Sequence, residues 1–168
     1  MILASIVLGA CGFSPMYGNL NTNARTAVEA KLAQIDIARI PEREGQILRN
    51  KLVERLYGGT NKTIRTYTLH VAPIREKRTE LDITEDADTT RAQLRLSTTM
   101  RLKRAGKEET MLTRDITATT SFNVLASQFT TRVSEQNARQ NAIQTLAERI
   151  ERQLALYFQR KAKARRET

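Results

Sequence analysis

Between Arg91 and Lys103 every second residue changes character, and no other stretch limits the fold so tightly. Ala92, Leu94, Leu96, Thr98, Met100 and Leu102 hold the even positions, while Arg91, Gln93, Arg95, Ser97, Thr99, Arg101 and Lys103 hold the odd ones. Successive side chains of a strand point to opposite faces, so this pattern describes a long strand with one face buried and one wetted. The buried face needs a cover, and a helix with one apolar stripe supplies it.

The flanking segments fit that demand. After a turn at Ala105-Gly106-Lys107, Thr110–Phe122 reads as the next strand, with Leu112, Ile116, Ala118 and Phe122 inward. Upstream, Tyr67, Leu69, Val71, Leu81 and Ile83 take alternate positions. Pro73 and the run Arg75-Glu76-Lys77-Arg78 interrupt them, which predicts a long edge strand or one broken by a bulge. Gln34–Ile40 is short and Ile-rich, a further strand ended by Pro41. Two segments have helical period instead. Leu48, Leu52 and Leu56 recur every four residues within Arg43–Tyr57, before Gly58-Gly59. Ala142, Ile143, Leu146, Ile150, Leu154, Tyr157 and Phe158 mark a helix over Thr131–Lys163, with breaks expected near Ser127–Thr131.

The expected order is β-α-β-β-β-α. It describes an α+β two-layer sandwich over residues 34–163, a mixed or antiparallel sheet of about four strands covered on one face by two helices. Residues 11–33, with Gly12, Pro15, Gly18 and an Asn/Thr cluster, read as a polar tether in which Ala27–Leu32 forms at most a helical turn. Residues 164–168 form a basic tail, in keeping with cations at the carbonyl end of a helix or with contact to anionic lipid.

Catalytic chemistry finds little material. With one histidine, His70, and one cysteine, Cys11, no Ser-His-Asp, Cys-His or multi-His metal site can be assembled. Asp82, Glu85, Asp86 and Asp88 lack the Gly and terminal Glu of an EF-hand and read as a solvated turn. Gly58-Gly59-Thr60 follows a helix, whereas a phosphate loop precedes one. No catalytic residue, metal or cofactor is expected. Surfaces remain. Arg91, Arg95, Arg101 and Lys103 share one face by the alternation argument, and Arg75, Lys77 and Arg78 lie on the preceding strand. That set is either a solvated sheet face or a contact surface for something polar or anionic, such as the hydrated interior of a β-barrel.

The first residues bear on where such a surface would work. Ile2–Val7 is apolar but far short of the roughly 20 residues that span a bilayer. Leu8-Gly9-Ala10-Cys11 follows, and the sequence then turns polar. This arrangement resembles the lipobox of a bacterial lipoprotein signal. It implies that residues 1–10 are removed and Cys11 carries covalent lipid. Met1-Ile2 offers no positively charged start, which is expected if the true start lies upstream. Outside the cytoplasm a net charge of +10 faces lipid phosphates rather than nucleic acid. With only four Phe and four Tyr, mostly core-facing, few platforms are left for base stacking, and nucleic acid is not an expected partner.

Several stretches together resemble a known family. They are Cys11-Gly12-Phe13-Ser14-Pro15-Met16-Tyr17-Gly18, Arg43-Glu44-Gly45-Gln46-Ile47-Leu48-Arg49-Asn50-Lys51-Leu52, Thr66-Tyr67-Thr68-Leu69-His70-Val71, Thr90-Arg91 and Ser121-Phe122-Asn123. The pattern resembles the lipopolysaccharide-assembly lipoproteins LptE in their alphaproteobacterial form. The resemblance implies a lipid-anchored outer-membrane protein on the periplasmic side. Such a protein plugs the LptD β-barrel, helps it assemble, and assists insertion of lipopolysaccharide into the outer leaflet. Gly12 after the cysteine resembles outer-membrane sorting. Arg75, Lys77, Arg78, Arg91, Arg95, Arg101 and Lys103 are the expected contacts to lipopolysaccharide or barrel, chosen from charge placement. Two alternatives stand beside this: a periplasmic lipoprotein binding lipid or substrate for another envelope transporter, signalled by an apolar pocket between helices and sheet, and a basic nucleic-acid binder.

Overall fold

The alternating segment lies at the centre of the sheet as β4 (Thr89–Arg104), paired from Thr89 to Lys103 with β5 (Thr110–Leu125) in an antiparallel hairpin. The structure, a computed structural model, describes residues 22–58, 64–81, 89–125 and 127–165. Gly106, at φ +73°, supplies the left-handed residue of the hairpin turn. On the other side of β4 two short strands lie end to end, β2 (Tyr67–Val71) against Met100–Arg104 and β3 (Arg75–Glu80) against Ala92–Ser97. β1 (Ile35–Ile37) adds to β2 in parallel.

The Tyr67–Glu80 stretch is therefore one strand course broken by a bulge. Three residues, Ala72-Pro73-Ile74, lie opposite two on β4, Thr98 and Thr99. Proline cannot donate to the ladder and is tolerated at such a break. The inserted residue reverses which face each later side chain occupies. Thr98, a buried polar residue on the covered face, belongs to this device: its hydroxyl donates to the Ala72 carbonyl at 2.7 Å, and the Ala72 N–H donates to the Thr99 carbonyl at 2.9 Å.

Among the described residues three helices cover one face. α2 (Arg43–Tyr57) buries Leu48, Leu52 and Leu56 and ends at Gly58, which is left-handed with φ +47°. Gly45 on α2 is a close-approach position, since a Cβ there would stand 2.7 Å from Ile40 Cγ2. α3 (Gln128–Ala164) begins at Ser127, whose side chain accepts from the Thr130 N–H. Its 37 residues extend roughly 55 Å at ~1.5 Å per residue, matching two strands of 16 residues at ~3.3 Å each. That match lets one helix cover the whole hairpin. Its stripe of Ala142, Ile143, Leu146, Ile150, Leu154 and Phe158 meets Leu94, Leu96, Met100 and Leu102 in one core cluster.

The two-layer α+β expectation is met, with differences in element count. Among the described residues the broken strand course makes five strands where four are expected. α1 (Thr22–Leu32) is a full helix within the stretch read as a tether, and it packs against α3 and α2. Leu32 and Val28 anchor it to the core from a sequence with little amphipathic period, so tertiary contact rather than local pattern holds it. The N-terminal strand is shorter than Gln34–Ile40, and the expected breaks near Ser127–Thr131 are instead the capped start of α3.

Candidate functional site

Among the described residues the sheet face opposite the helices is polar over almost all its length, with Leu81 just past β3 and Leu125 at the end of β5 as apolar side chains at its rim. β4 presents Arg91, Gln93, Arg95, Ser97, Thr99, Arg101 and Lys103 there, and β5 presents Thr113, Asp115, Thr117, Thr119, Ser121 and Asn123. β1, β2 and the reversed β3 add Asp36, Thr68, His70, Arg75, Lys77 and Thr79. Among the described residues no helix lies over this face.

Its charge is uneven. Lys77 stands directly opposite Arg95, and Arg75 opposite Ser97, one diagonal step from Arg95. Like charges facing each other across a ladder are destabilising. On the β5 side Arg95 meets only Thr119. Among the described residues Arg75, Lys77, Arg91, Arg95 and Arg101 have no ion pair. The hairpin end differs. Lys103 Nζ lies 2.5 Å from Glu108 Oε2, and this bond holds the Glu108 carboxyl below its usual value. Asp115 accepts from the Thr99 hydroxyl at 2.6 Å. A compensated end thus adjoins an uncompensated centre.

Arg78 is not part of this surface, contrary to the expectation that grouped it with Arg75 and Lys77. The bulge turns Glu76, Arg78 and Glu80 to the helix side. There Arg78 pairs with Glu135 at 3.3 Å and Glu80 at 3.6 Å and lies over the Phe122 ring. Beside it Arg139 donates twice to Glu76, both at 2.7 Å, and also to Glu135 at 2.8 Å. Those bonds, Glu76 first, push the Arg139 guanidinium above its usual pKa. This network fastens β3 to α3. Sequence alternation alone missed it, although Pro73 marked the point where parity changes.

Other candidate chemistry stays unassembled. His70 is exposed, opposite Arg101 on the open face. Among the described residues no group of three or more His, Cys, Asp or Glu is placed to hold a metal, and no helix is long and apolar enough to cross a membrane. Cys11 and the acidic stretch Asp82, Glu85, Asp86 and Asp88 lie outside the described residues. Among the described residues the core cluster lies between helices and sheet. An open groove of about 620 Å³ lies instead at one end, bounded by α1, the last turns of α3 and the hairpin end of the sheet. Its walls come from residues far apart in the chain, so no local motif announces it.

The same fold occurs in lipoproteins of known structure. A crystal structure of a protein from Caulobacter crescentus CB15, described as a lipoprotein, superposes with a TM-score of 0.63 at 20% identity, covering 79% of this chain and 96% of that one. A minor lipoprotein from Acinetobacter baumannii gives a TM-score of 0.58 at 22% identity, covering 74% and 92%. No curated protein matches by sequence. The LptE lipopolysaccharide-assembly family matches residues 31–154, from the end of α1 through most of α3. That span takes in every strand of the sheet and both faces described above, and the chain belongs to the LptE lipopolysaccharide-assembly family.

Proposed function

We propose that this chain is an outer-membrane lipoprotein, anchored by lipid on Cys11 after loss of residues 1–10. Its open sheet face lies against the water-filled interior of an LptD-type β-barrel. There it plugs the barrel, supports its assembly and assists passage of lipopolysaccharide to the outer leaflet, a role that needs no catalytic residue. One observation carries this reading: a largely polar sheet face that holds Arg75, Lys77 and Arg95 together without carboxylate partners among the described residues. Such a face gains little from an apolar partner, whereas barrel interiors are polar and hydrated. Clustered cations without counter-charge are suited to phosphates, by charge-assisted hydrogen bonds. Arg91, Arg101 and Lys103 extend the contact surface; Arg78, committed to Glu135, does not.

Purification from outer membranes in mild detergent tests the assignment. A large β-barrel should accompany the protein, and recovery of the protein alone would count against the plug role. Reversing Arg75, Lys77 and Arg95 to Glu should lower recovery of barrel or of lipopolysaccharide roughly tenfold or more, since like charges set against each other at an interface cost several kcal/mol. Arg78→Gln should leave it unchanged. Mass spectrometry of the mature N-terminus should find a diacylglyceryl Cys11.

A further inference from the structure

The groove at the end of the molecule has a chemistry of its own. Val28, Tyr67 and Phe158 form an apolar floor, and Lys31, Arg104, Lys161, Lys163 and Arg165 stand around it. Among the described residues no Asp or Glu lines it. Lys161, Lys163 and Arg165 are explained in part by their place at the carbonyl end of α3. Lys31 comes from α1 and Arg104 from β4, and the helix end accounts for neither. Three elements thus bring cations to one apolar groove whose volume is that of a ligand site. Lys161 lies 5.9 Å from the Tyr157 ring, a pairing of long cation and aromatic suited to a lipid–water boundary. The groove opens on the helix side of the sheet, so a partner held against the polar face leaves it accessible.

We propose that this groove docks the protein on an anionic phospholipid bilayer, with acyl chain against Val28 and Phe158 and lipid phosphates among Lys31, Arg104 and Lys161. This assignment does not rest on the barrel reading, because bilayer docking by the isolated chain would stand if the barrel reading failed.

The test uses full-length Cys11→Ser protein, which carries no lipid, floated with vesicles of phosphatidylcholine alone or mixed with phosphatidylglycerol. It should bind the mixed vesicles only. Reversing Lys31, Arg104 and Lys161 to Glu should reduce the bound fraction at least about tenfold, each surface cation being worth a severalfold change. Reversing Arg75, Lys77 and Arg95 instead should retain most of it. Equal loss from both sets would mean net charge alone and would overturn the groove. Because the chain has no Trp, Val28→Trp adds a single reporter. Its emission should shift to the blue on vesicles and be quenched by brominated phospholipid. Emission unmoved by vesicles, or already blue without them because the chain's own residues cover the groove, overturns the proposal. So does displacement of the protein by glycerol phosphate, or binding to lipopolysaccharide micelles but not to phospholipid.

Discussion

The two faces of one hairpin answer to different physics. Leu94, Leu96, Met100 and Leu102 are fully buried against α3, and their identity follows from packing. Arg91, Arg95 and Arg101 alternate with them along the same backbone and are exposed, without ion pairs among the described residues. A strand with merely solvated outer residues has no reason to set Lys77 opposite Arg95. The covered face is what a stable sandwich demands; the open face carries an electrostatic cost that folding does not explain. A region built against local stability is where function is expected.

The sharpest way to break this contrast is to alter neighbours one residue apart. Leu96→Ala should destabilise by about 2–5 kcal/mol, because a fully buried side chain leaves a cavity. Arg95→Ala should change stability by no more than about 0.5 kcal/mol. Its sign should be stabilising at low ionic strength, where loss of the Lys77–Arg95 repulsion is felt, and the gain should fade as salt screens it. Urea unfolding at two salt concentrations reads both. Equal penalties at the two positions would mean that the open face is covered.

How much of this contrast could be read beforehand depends on range. The alternation over Arg91–Lys103 and the Leu48-Leu52-Leu56 stripe are local periodicities, and they yielded the sheet, α2, most of α3 and the polar open face. α1 escaped because its helix is held by Leu32 and Val28 meeting the core, a tertiary contact its own pattern does not show. Arg78 was misplaced because one inserted residue near Pro73 reverses side-chain parity, and insertion is visible only once the register to β4 is known. Arg75, Lys77 and Arg95 were identifiable as cations, but that they form a single uncompensated group depends on the same register. The terminal groove joins Lys31, Arg104 and Lys161 across most of the chain, beyond the reach of any motif.

A smaller effect tests whether the bulge, rather than chance, separates the two sets of charges on β3. Glu76 and Arg139 are each partly exposed, so their bidentate bond should couple by about 0.5–1 kcal/mol in a double-mutant cycle to Ala. Amides of β3 should exchange faster once it is cut. Lys77→Ala, one residue along and on the other face, should show no coupling to Arg139. Coupling between Lys77 and Arg139 would place both on one side and remove the register shift on which the face assignment depends.

The smallest effect concerns the border between the compensated and uncompensated parts of the open face. Glu108 is held below its ordinary pKa by the hydrogen bond from Lys103 and by its charge. A carboxyl depressed in the folded state contributes stability above its unfolded pKa and loses it as pH falls through the lower folded value. The Lys103–Glu108 contribution should therefore be complete at neutral pH and fade only on acidification below the ordinary glutamate range. Carbon NMR of the Glu108 carboxyl should show this lowered midpoint, and Lys103→Met should return it to the ordinary value while Lys77→Met does not. Because Glu108 is almost fully exposed, the change in unfolding should be barely measurable even where the titration is clear. A midpoint that follows Lys77 as strongly as Lys103 would mean that the cations of this face act as one field. Arg75, Lys77 and Arg95 would then have no separate standing as the place where an anionic partner is drawn in.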